Sequence, residues 1–394
     1  MNLEKRFNEL HSFLEEHIEL INYEPLEHYE IQLPLYKRWV EIISTLSEDQ
    51  KISFTNSSQI HFPIDSLNQF LERVDQLLSL NEISQKLAEI HVRYLQNINK
   101  KKRYEVKRIL CHKEIENAES YIDIGSGAGH LSTCLLINNS KKSLCLDANI
   151  DYQKIGKEKL KKIDPEMLNR LSFKEEFVGP QTNLPISKNS IILGLHACGN
   201  LTVDIMNLYL KSNQKTLISF GCCYHKLTED HLYLSLSAQK KKCFLTNSAL
   251  TMAAKIKPES KKSFKKKVLV KNYRYALHLY LSEKYQKEFI PLGNAAKDDY
   301  NLEFSQYAKK YVELLKAESE EELNQFYQLK STKLFINNIL SLGLIRAKLG
   351  KLIELYINLD RALYLAENGC EVEIEAYFDE EISPRNYLLF SKKK

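Results

Sequence analysis

The spacing of apolar positions changes character along the chain. Near the N-terminus Leu3, Phe7, Leu10, Leu14, Ile18 and Ile21 recur three or four residues apart, one face of a helix. A second run, Leu67, Leu71, Val74, Leu78, Leu87 and Ile90, follows that period less regularly, and Pro25, Pro34 and Pro63 punctuate the interval. Residues 1–96 therefore predict a mainly helical module. Beyond them a basic helix from Lys100 to about Glu116 leads into a short apolar strand at 121–124, a glycine-rich turn and a helix from about His130. A strand at 143–146, ending in Asp147, is followed by helix 152–163, strands 171–178 and 190–195, helix 202–211 and strand 216–220. Such alternation predicts a parallel, doubly wound α/β sheet.

The rhythm is lost between about 225 and 340 and then returns. Ile345, Leu349, Leu352, Tyr356, Leu359 and Leu363 mark one long helix, closed by Gly369 just past its end. Val372, Ile374, Ala376 and Phe378 alternate with Glu371, Glu373, Glu375 and Tyr377, a half-buried strand; a turn at 383–386 precedes a last strand at 387–390. A helix and an antiparallel hairpin at this place extend the preceding sheet. Residues 225–340 thus read as an insertion inside one domain, 97–394.

Composition narrows the class. The chain has 394 residues, 43% hydrophobic and 27% charged, ordinary for a globular protein of two or three domains. No run of about 18 apolar residues predicts a spanning helix, and the first residues carry acids where a secretory leader needs bases. No membrane partner is expected. The eight cysteines contain no CxxC pair and read as reduced thiols in the cytoplasm or nucleus. The net charge of +5 conceals a division, −8 over residues 1–96 and +13 over the rest. Residues 240–274 hold 12 Lys and Arg and a single acid, Glu259.

Chemistry concentrates where strands end. The segment 123–130, DIGSGAGH, follows a strand and opens a helix. Its glycines permit close approach of a ligand to the backbone. The GxGxG spacing puts His130 where a dinucleotide fold wants a third small residue. Asp123, two residues before the first glycine, suits a cationic amino group better than a pyrophosphate, and Asp147 is placed to accept hydrogen bonds from ribose hydroxyls. Asp123, Gly125, Gly127, Gly129 and Asp147 therefore favour S-adenosylmethionine over NAD. Two further strand ends carry GLHACG (194–199) and GCCYH (221–225). His196 and Tyr224 are candidates for positioning substrate or removing a proton, with His196 also beside the cofactor. Cys222 and Cys223 are candidate nucleophiles. Zinc binding by His196, Cys198, Cys222, Cys223 and His225 is not expected, because the spacing fits no usual pattern and adjacent cysteines bind one metal awkwardly.

Taken in order, DIGSGAGH, GLHACGNL (194–201), GCCYHKL (221–227), LDRALYL (359–365) and SPRN (383–386) resemble the methyltransferase-like protein 25 family, which includes a ribosomal RNA adenine dimethylase domain-containing member. The two strand-end motifs are also similar, more distantly, to those of the tRNA acceptor-stem 2′-O-methyltransferase. The resemblance spans residues 97–394. It implies a Rossmann-like class I methyltransferase sheet with a terminal antiparallel hairpin, here joined to an N-terminal helical module and a long basic insertion. It also implies S-adenosylmethionine as cofactor, held by Asp123, Gly125, Gly127 and Gly129. The family's Lys-Lys-x-His-Glu element reads Lys101-Lys102-Arg103-Tyr104-Glu105 here, with Tyr104 in the histidine's place.

The expected activity is methyl transfer to RNA. Lys102, Arg103, Lys261, Lys262, Lys265, Lys266 and Arg274 are the residues expected to meet phosphates. The usual Asn-Pro-Pro-Tyr device for exocyclic amines is replaced by Leu195-His196-Ala197-Cys198. Ribose, ring-nitrogen and protein side-chain acceptors stay open. Two alternatives are a protein methyltransferase, whose acidic module recruits a basic protein, and a non-catalytic methyltransferase-fold binding module.

Overall fold

The structure, a computed structural model, describes residues 2–24, 33–57, 60–80, 86–184, 189–255, 258–286 and 295–394. Pro25, and Lys257 among the 12 basic residues of 240–274, lie outside these residues.

Seven strands make one sheet: β1 (Ser120–Ile124), β2 (Lys142–Asp147), β3 (Leu171–Glu175), β4 (Ser190–Cys198), β5 (Thr216–Cys222), β6 (Cys370–Ala376) and β7 (Tyr387–Lys393). Their order is β3-β2-β1-β4-β5-β7-β6. The first five run parallel, and β7 is antiparallel to both β5 and β6. The expected α/β class and terminal hairpin are thus present. β4 and β5 lie at the centre and are buried almost throughout, which is why they read as continuous rather than alternating apolar runs. The strand order reverses between β1 and β4. In sheets of this kind the ligand crevice opens there, beyond the carboxyl ends of the strands.

Several bounds differ from the sequence reading, each for a local reason. The first helical run breaks at His17, giving Leu3–Glu16 and Ile18–Asn22. Only Asp65–Leu78 of the second run is helical, so Leu87 and Ile90 fall outside it. The basic helix stops at Ile109 and a second short one, Lys113–Asn117, is capped by His112. The long helix begins well before Ile345, spanning Lys330–Glu367, and Gly369 follows it at φ +82°.

The chain forms two compact units that are interleaved rather than consecutive. One comprises Met1–Glu16, Leu77–Lys257 and Gly350–Lys394; the other comprises His17–Gln76 and Pro258–Leu349. The boundary expected at residue 96 coincides with neither. In the first unit the helix Leu3–Glu16 buries Phe7, Leu10 and Leu14, and Phe7 stacks on Tyr356 at 4.8 Å between ring centroids. Its apolar stripe therefore serves the sheet-bearing unit. In the second unit an aromatic cluster of Tyr273, Tyr280, Tyr300, Phe304 and Tyr307 forms the core. Acidic and basic stretches meet within that unit: Lys261 pairs with Asp49 at 2.8 Å, Lys265 with Glu48 at 3.7 Å and Lys267 with Glu259 at 2.9 Å.

A buried polar network fixes the end of β5. Glu354, on the long helix, has no exposed side-chain surface. It accepts hydrogen bonds from Tyr224 Oη (3.2 Å), Lys351 Nζ (2.9 Å) and Arg385 Nη1 (3.0 Å). Lys351 also donates to Asn386 Oδ1, and Asn358 Nδ2 donates to Tyr224 Oη. One turn further, Asp360 accepts from the backbone N–H groups of Leu234 and Ser235, while Arg361 donates to the carbonyls of Leu232 and His231. The LDRAL and SPRN motifs therefore hold the chain that leaves β5. Removing one member of a buried charge network leaves its partners uncompensated, at about 3 to 5 kcal/mol. Glu354→Ala is expected to lose stability on that scale in urea unfolding, with Glu354→Gln losing less; equal stability of Glu354→Ala and wild type would show that the network carries no structural weight.

Candidate active site

The loop after β1 is built by three glycines in the left-handed region, Gly125, Gly127 and Gly129, at φ +69°, +57° and +68°. Their surroundings separate their roles. A Cβ at Gly129 would lie 2.8 Å from the Phe173 ring, and one at Gly125 3.2 Å from Leu201. At Gly127 it would meet nothing within 4 Å. Gly125 and Gly129 thus satisfy conformation and packing, while Gly127 leaves the space through which a ligand can approach the backbone. The N–H of Gly127 donates to Asp147 Oδ2 at 2.7 Å, and the N–H of Asn149 donates to Oδ1 at 2.8 Å. Asp147 ties this loop to the end of β2 and keeps acceptor capacity for hydroxyl donors, since a carboxylate offers about four lone-pair sites.

Asp123 is 2% exposed and accepts a hydrogen bond from Ser132 Oγ at 2.8 Å, which in turn accepts one from Ser143 Oγ. Burial pushes its carboxyl up to about 6, against the opposing pull of Ser132 and the Lys102 charge. Among the described residues it forms no ion pair. A desolvated carboxylate without a paired cation is suited to a cationic ligand. Lys102 also acts on His130, which burial and the charges of Lys159 and Lys102 bring down to about 4.

His196 sits where the register of β4 against β5 shifts, between Leu195 and Ala197, at φ +61°. A side-chain-bearing residue in that region is strained, and such strain is concentrated at functional sites. Its Nε2 lies 2.9 Å from Glu105 Oε2; His196 is 26% exposed and Glu105 not at all. Glu105 Oε1 accepts from Ser383 Oγ at 2.5 Å, and Lys101 Nζ is 3.5 Å away. Burial raises the Glu105 carboxyl, but the hydrogen bond and charge of His196, with Lys101 and Ser383, outweigh it and hold the group below its ordinary value. An ionised carboxylate against Nε2 requires the proton on that nitrogen and leaves Nδ1 as the basic one.

Other expected site residues are placed differently. Tyr224 is buried, its phenol engaged with Gly221, Glu354 and Asn358, and burial together with Glu354 raises it well above the usual tyrosine value. This corrects the expectation that it removes a proton: the ring anchors β5. Cys222 is buried beneath Cys198 and Cys223, with Cys198 Sγ 2.9 Å from Cys222 Sγ and 3.3 Å from Cys223 Sγ. Hydrogen bonding from Cys222 lowers the Cys198 thiol to about 6 and raises that of Cys222, while burial raises that of Cys223. The lowered thiol is that of Cys198, the exposed member of the three. Zinc is not expected from the sequence, because the spacing is unusual and adjacent cysteines bind one metal awkwardly; in the fold the Sγ atoms of Cys198, Cys222 and Cys223 lie within 4.8 Å of one another.

The phosphate-binding candidates also divide. Lys102 lies close enough to the loop for its charge to act on Asp123, and Arg103 Nε donates to the carbonyl of Ile98. Lys261 and Lys265 are engaged by Asp49 and Glu48. Lys262 and Lys266 are exposed. Arg274 is half-buried, its Nε donating to Tyr300 Oη of the aromatic cluster.

Sequence reasoning names Glu105 only as the last residue of the Lys101–Glu105 element, without a role, and does not single out Gly156. Glu105 is 91 residues from its histidine, and no local pattern links them. Gly156 had a signal, a glycine inside the helix Ile150–Ile163. A Cβ there would lie 2.4 Å from the Ala128 carbonyl oxygen, so the glycine lets this helix touch the loop.

Residues 85–230 match a family model described as a methyltransferase domain. That part of the chain is similar to a methyltransferase domain. The matched span contains the glycine loop, β1 to β5 and both cysteine motifs. The chain is also 25% identical over 238 residues to probable methyltransferase-like protein 25 of Mus musculus, covering 52% of this chain and 38% of that protein. Of the five motifs that carry the resemblance, DIGSGAGH, GLHACGNL and GCCYHKL fall inside residues 85–230, and LDRALYL and SPRN lie beyond them. Tyr104, in the family histidine's place, accepts a hydrogen bond from the N–H of Asp379 and packs edge-on against Phe378. In this chain the position secures the hairpin.

A buried acid with a raised value has a defined sign in stability. Between its ordinary value of 3.8 and about 6 the unfolded chain has released a proton that the folded chain retains, so stability falls as pH rises through this window. Asp123→Asn is therefore expected to be more stable than wild type near neutral pH, by at most about 3 kcal/mol, with the difference closing below pH ~4. Thermal unfolding across pH checks this; a variant less stable at every pH would overturn it.

Proposed function

We propose that this chain is an S-adenosylmethionine-dependent methyltransferase acting on RNA. The observation that carries the cofactor is the joint between Gly127 and Asp147, an open backbone turn held to an acid at the neighbouring strand end. Gly127 gives the ligand room, Asp147 receives the ribose hydroxyls, and Asp123 supplies the charge opposite the amino group. S-adenosylmethionine carries an electrophilic methyl group, so the protein's task is to hold an acceptor in line and take its proton. His196 fits that role, with Glu105 fixing its tautomer as a buried carboxylate does. A base favours acceptors that must lose a proton, such as a ribose hydroxyl or a ring N–H.

The support for RNA lies at the start of the helix Lys100–Ile109, where Lys102 is near enough to the cofactor loop for its charge to act on Asp123 and where Lys100 and Arg103 share its first turn. The insertion contributes less than its composition suggests, because Lys261, Lys265 and Lys267 already face acids. The cytoplasm or nucleus is the matching compartment; among the described residues no helix is long and apolar enough to cross a membrane.

Calorimetry with S-adenosylhomocysteine tests the cofactor: micromolar binding, lost in Asp147→Ala, is expected, and no heat at millimolar ligand would sink it. For the substrate, replacing Lys100 and Lys102 by Gln should weaken RNA binding and flatten the slope of log affinity against log salt by roughly one unit per lost phosphate contact. The same change at Lys261, Lys265 and Lys267 should flatten it less. Methyl label from a cell extract that survives ribonuclease and disappears with protease would replace RNA by a protein substrate.

A further inference from the structure

Parallel strands β4 and β5 both end in cysteine, and their register sets Cys198 opposite Cys222. Two departures from regular strand geometry collect a third thiol. The register shift at His196 resets the alternation of side chains before Cys198. Cys223 then leaves β5 at φ +54°, ψ +46°, so it does not take the opposite face that strand alternation would give the neighbour of Cys222. The three Sγ atoms all lie within 4.8 Å of one another. His196 and Cys223 are both side-chain-bearing residues in the left-handed region, and both serve this arrangement. Among the described residues no other group of cysteine, histidine or acid ligand atoms is gathered so closely.

We propose that Cys198, Cys222 and Cys223 form a three-thiolate site for a soft divalent cation of the zinc class. Thiolates bound about 2.3 Å from one tetrahedral ion lie about 3.8 Å apart, within reach of these three side chains by small rotations. Cys222 forms the buried floor, Cys223 is half-buried and Cys198 exposed, which gives an ion a route in from solvent. Three protein ligands leave a fourth position for water or a substrate atom, the pattern of a reactive site rather than of a closed structural one. That position adjoins His196, two residues before Cys198. The site stands independently of the identity of the methyl acceptor.

The test uses the full chain, reduced and kept anaerobic, titrated with Co²⁺. A thiolate-to-cobalt charge-transfer band saturating at one ion per chain, and bleached by Zn²⁺, is expected. Cys198→Ser and Cys223→Ser, at exposed and half-buried positions that spare the core, should each weaken binding at least tenfold, and Cys370→Ser should leave it unchanged. A band that persists in both cysteine variants overturns the proposal. So does its absence at excess cobalt. Native mass spectrometry of the untreated chain adds a third criterion: a metal-free mass lower by two hydrogen atoms, absent from Cys198→Ser, would mean that oxidation has made a disulfide in place of the metal.

Discussion

Two carboxylates with no exposed surface organise the sheet-bearing unit, because a charge removed from water must be met by its full complement of donors. Glu354 is met by Lys351, Arg385 and Tyr224, and Glu105 by His196, Lys101 and Ser383. The turn at 383–386 serves both. Ser383 reaches one carboxylate, while Arg385 reaches the other directly and Asn386 through Lys351. Burial makes each missing partner costly, so the long helix, the hairpin turn and the two central strand ends take up one arrangement.

That requirement explains why motifs far apart in the chain sit at one end of the sheet. SPRN meets a candidate reacting group through Glu105, which Ser383 and His196 both contact. Asp360 and Arg361 close off backbone groups of residues 231–235 and so anchor the chain after β5. A histidine displaced into the left-handed region keeps its conformation only when its surroundings over-determine it. The Glu105 hydrogen bond and the β4 register shift supply that constraint for His196.

The charge division takes on a different meaning in three dimensions. A basic stretch and an acidic one invite separate partners when read along the chain. In the second unit, Glu48 and Asp49 come from the N-terminal part and Lys261 and Lys265 from the insertion, and the two signs face each other. These pairs are exposed, at 59% and 72% for Lys261 and Asp49, so they contribute little stability. Their consequence is electrostatic: a lysine beside a carboxylate offers a phosphate less field than an isolated one.

What the sequence determined by itself were the features with local causes. Period and composition marked the strands β1 to β5, and positive-φ turns called for glycine at 125, 127 and 129. Asp147 was recognisable because it ends a strand beside that turn. Motif order carried the class of sheet and its closing hairpin. What only the tertiary structure decided were the partnerships between distant residues. Glu105 with His196, Tyr224 with Glu354, and three cysteines around one point depend on parallel register and on a single shifted residue in β4. The interleaving of the units was hidden for a similar reason. The amphipathic face of residues 3–16 specifies that it must be covered, and its periodicity is the same whichever surface covers it, because hydrophobic burial has no direction of its own.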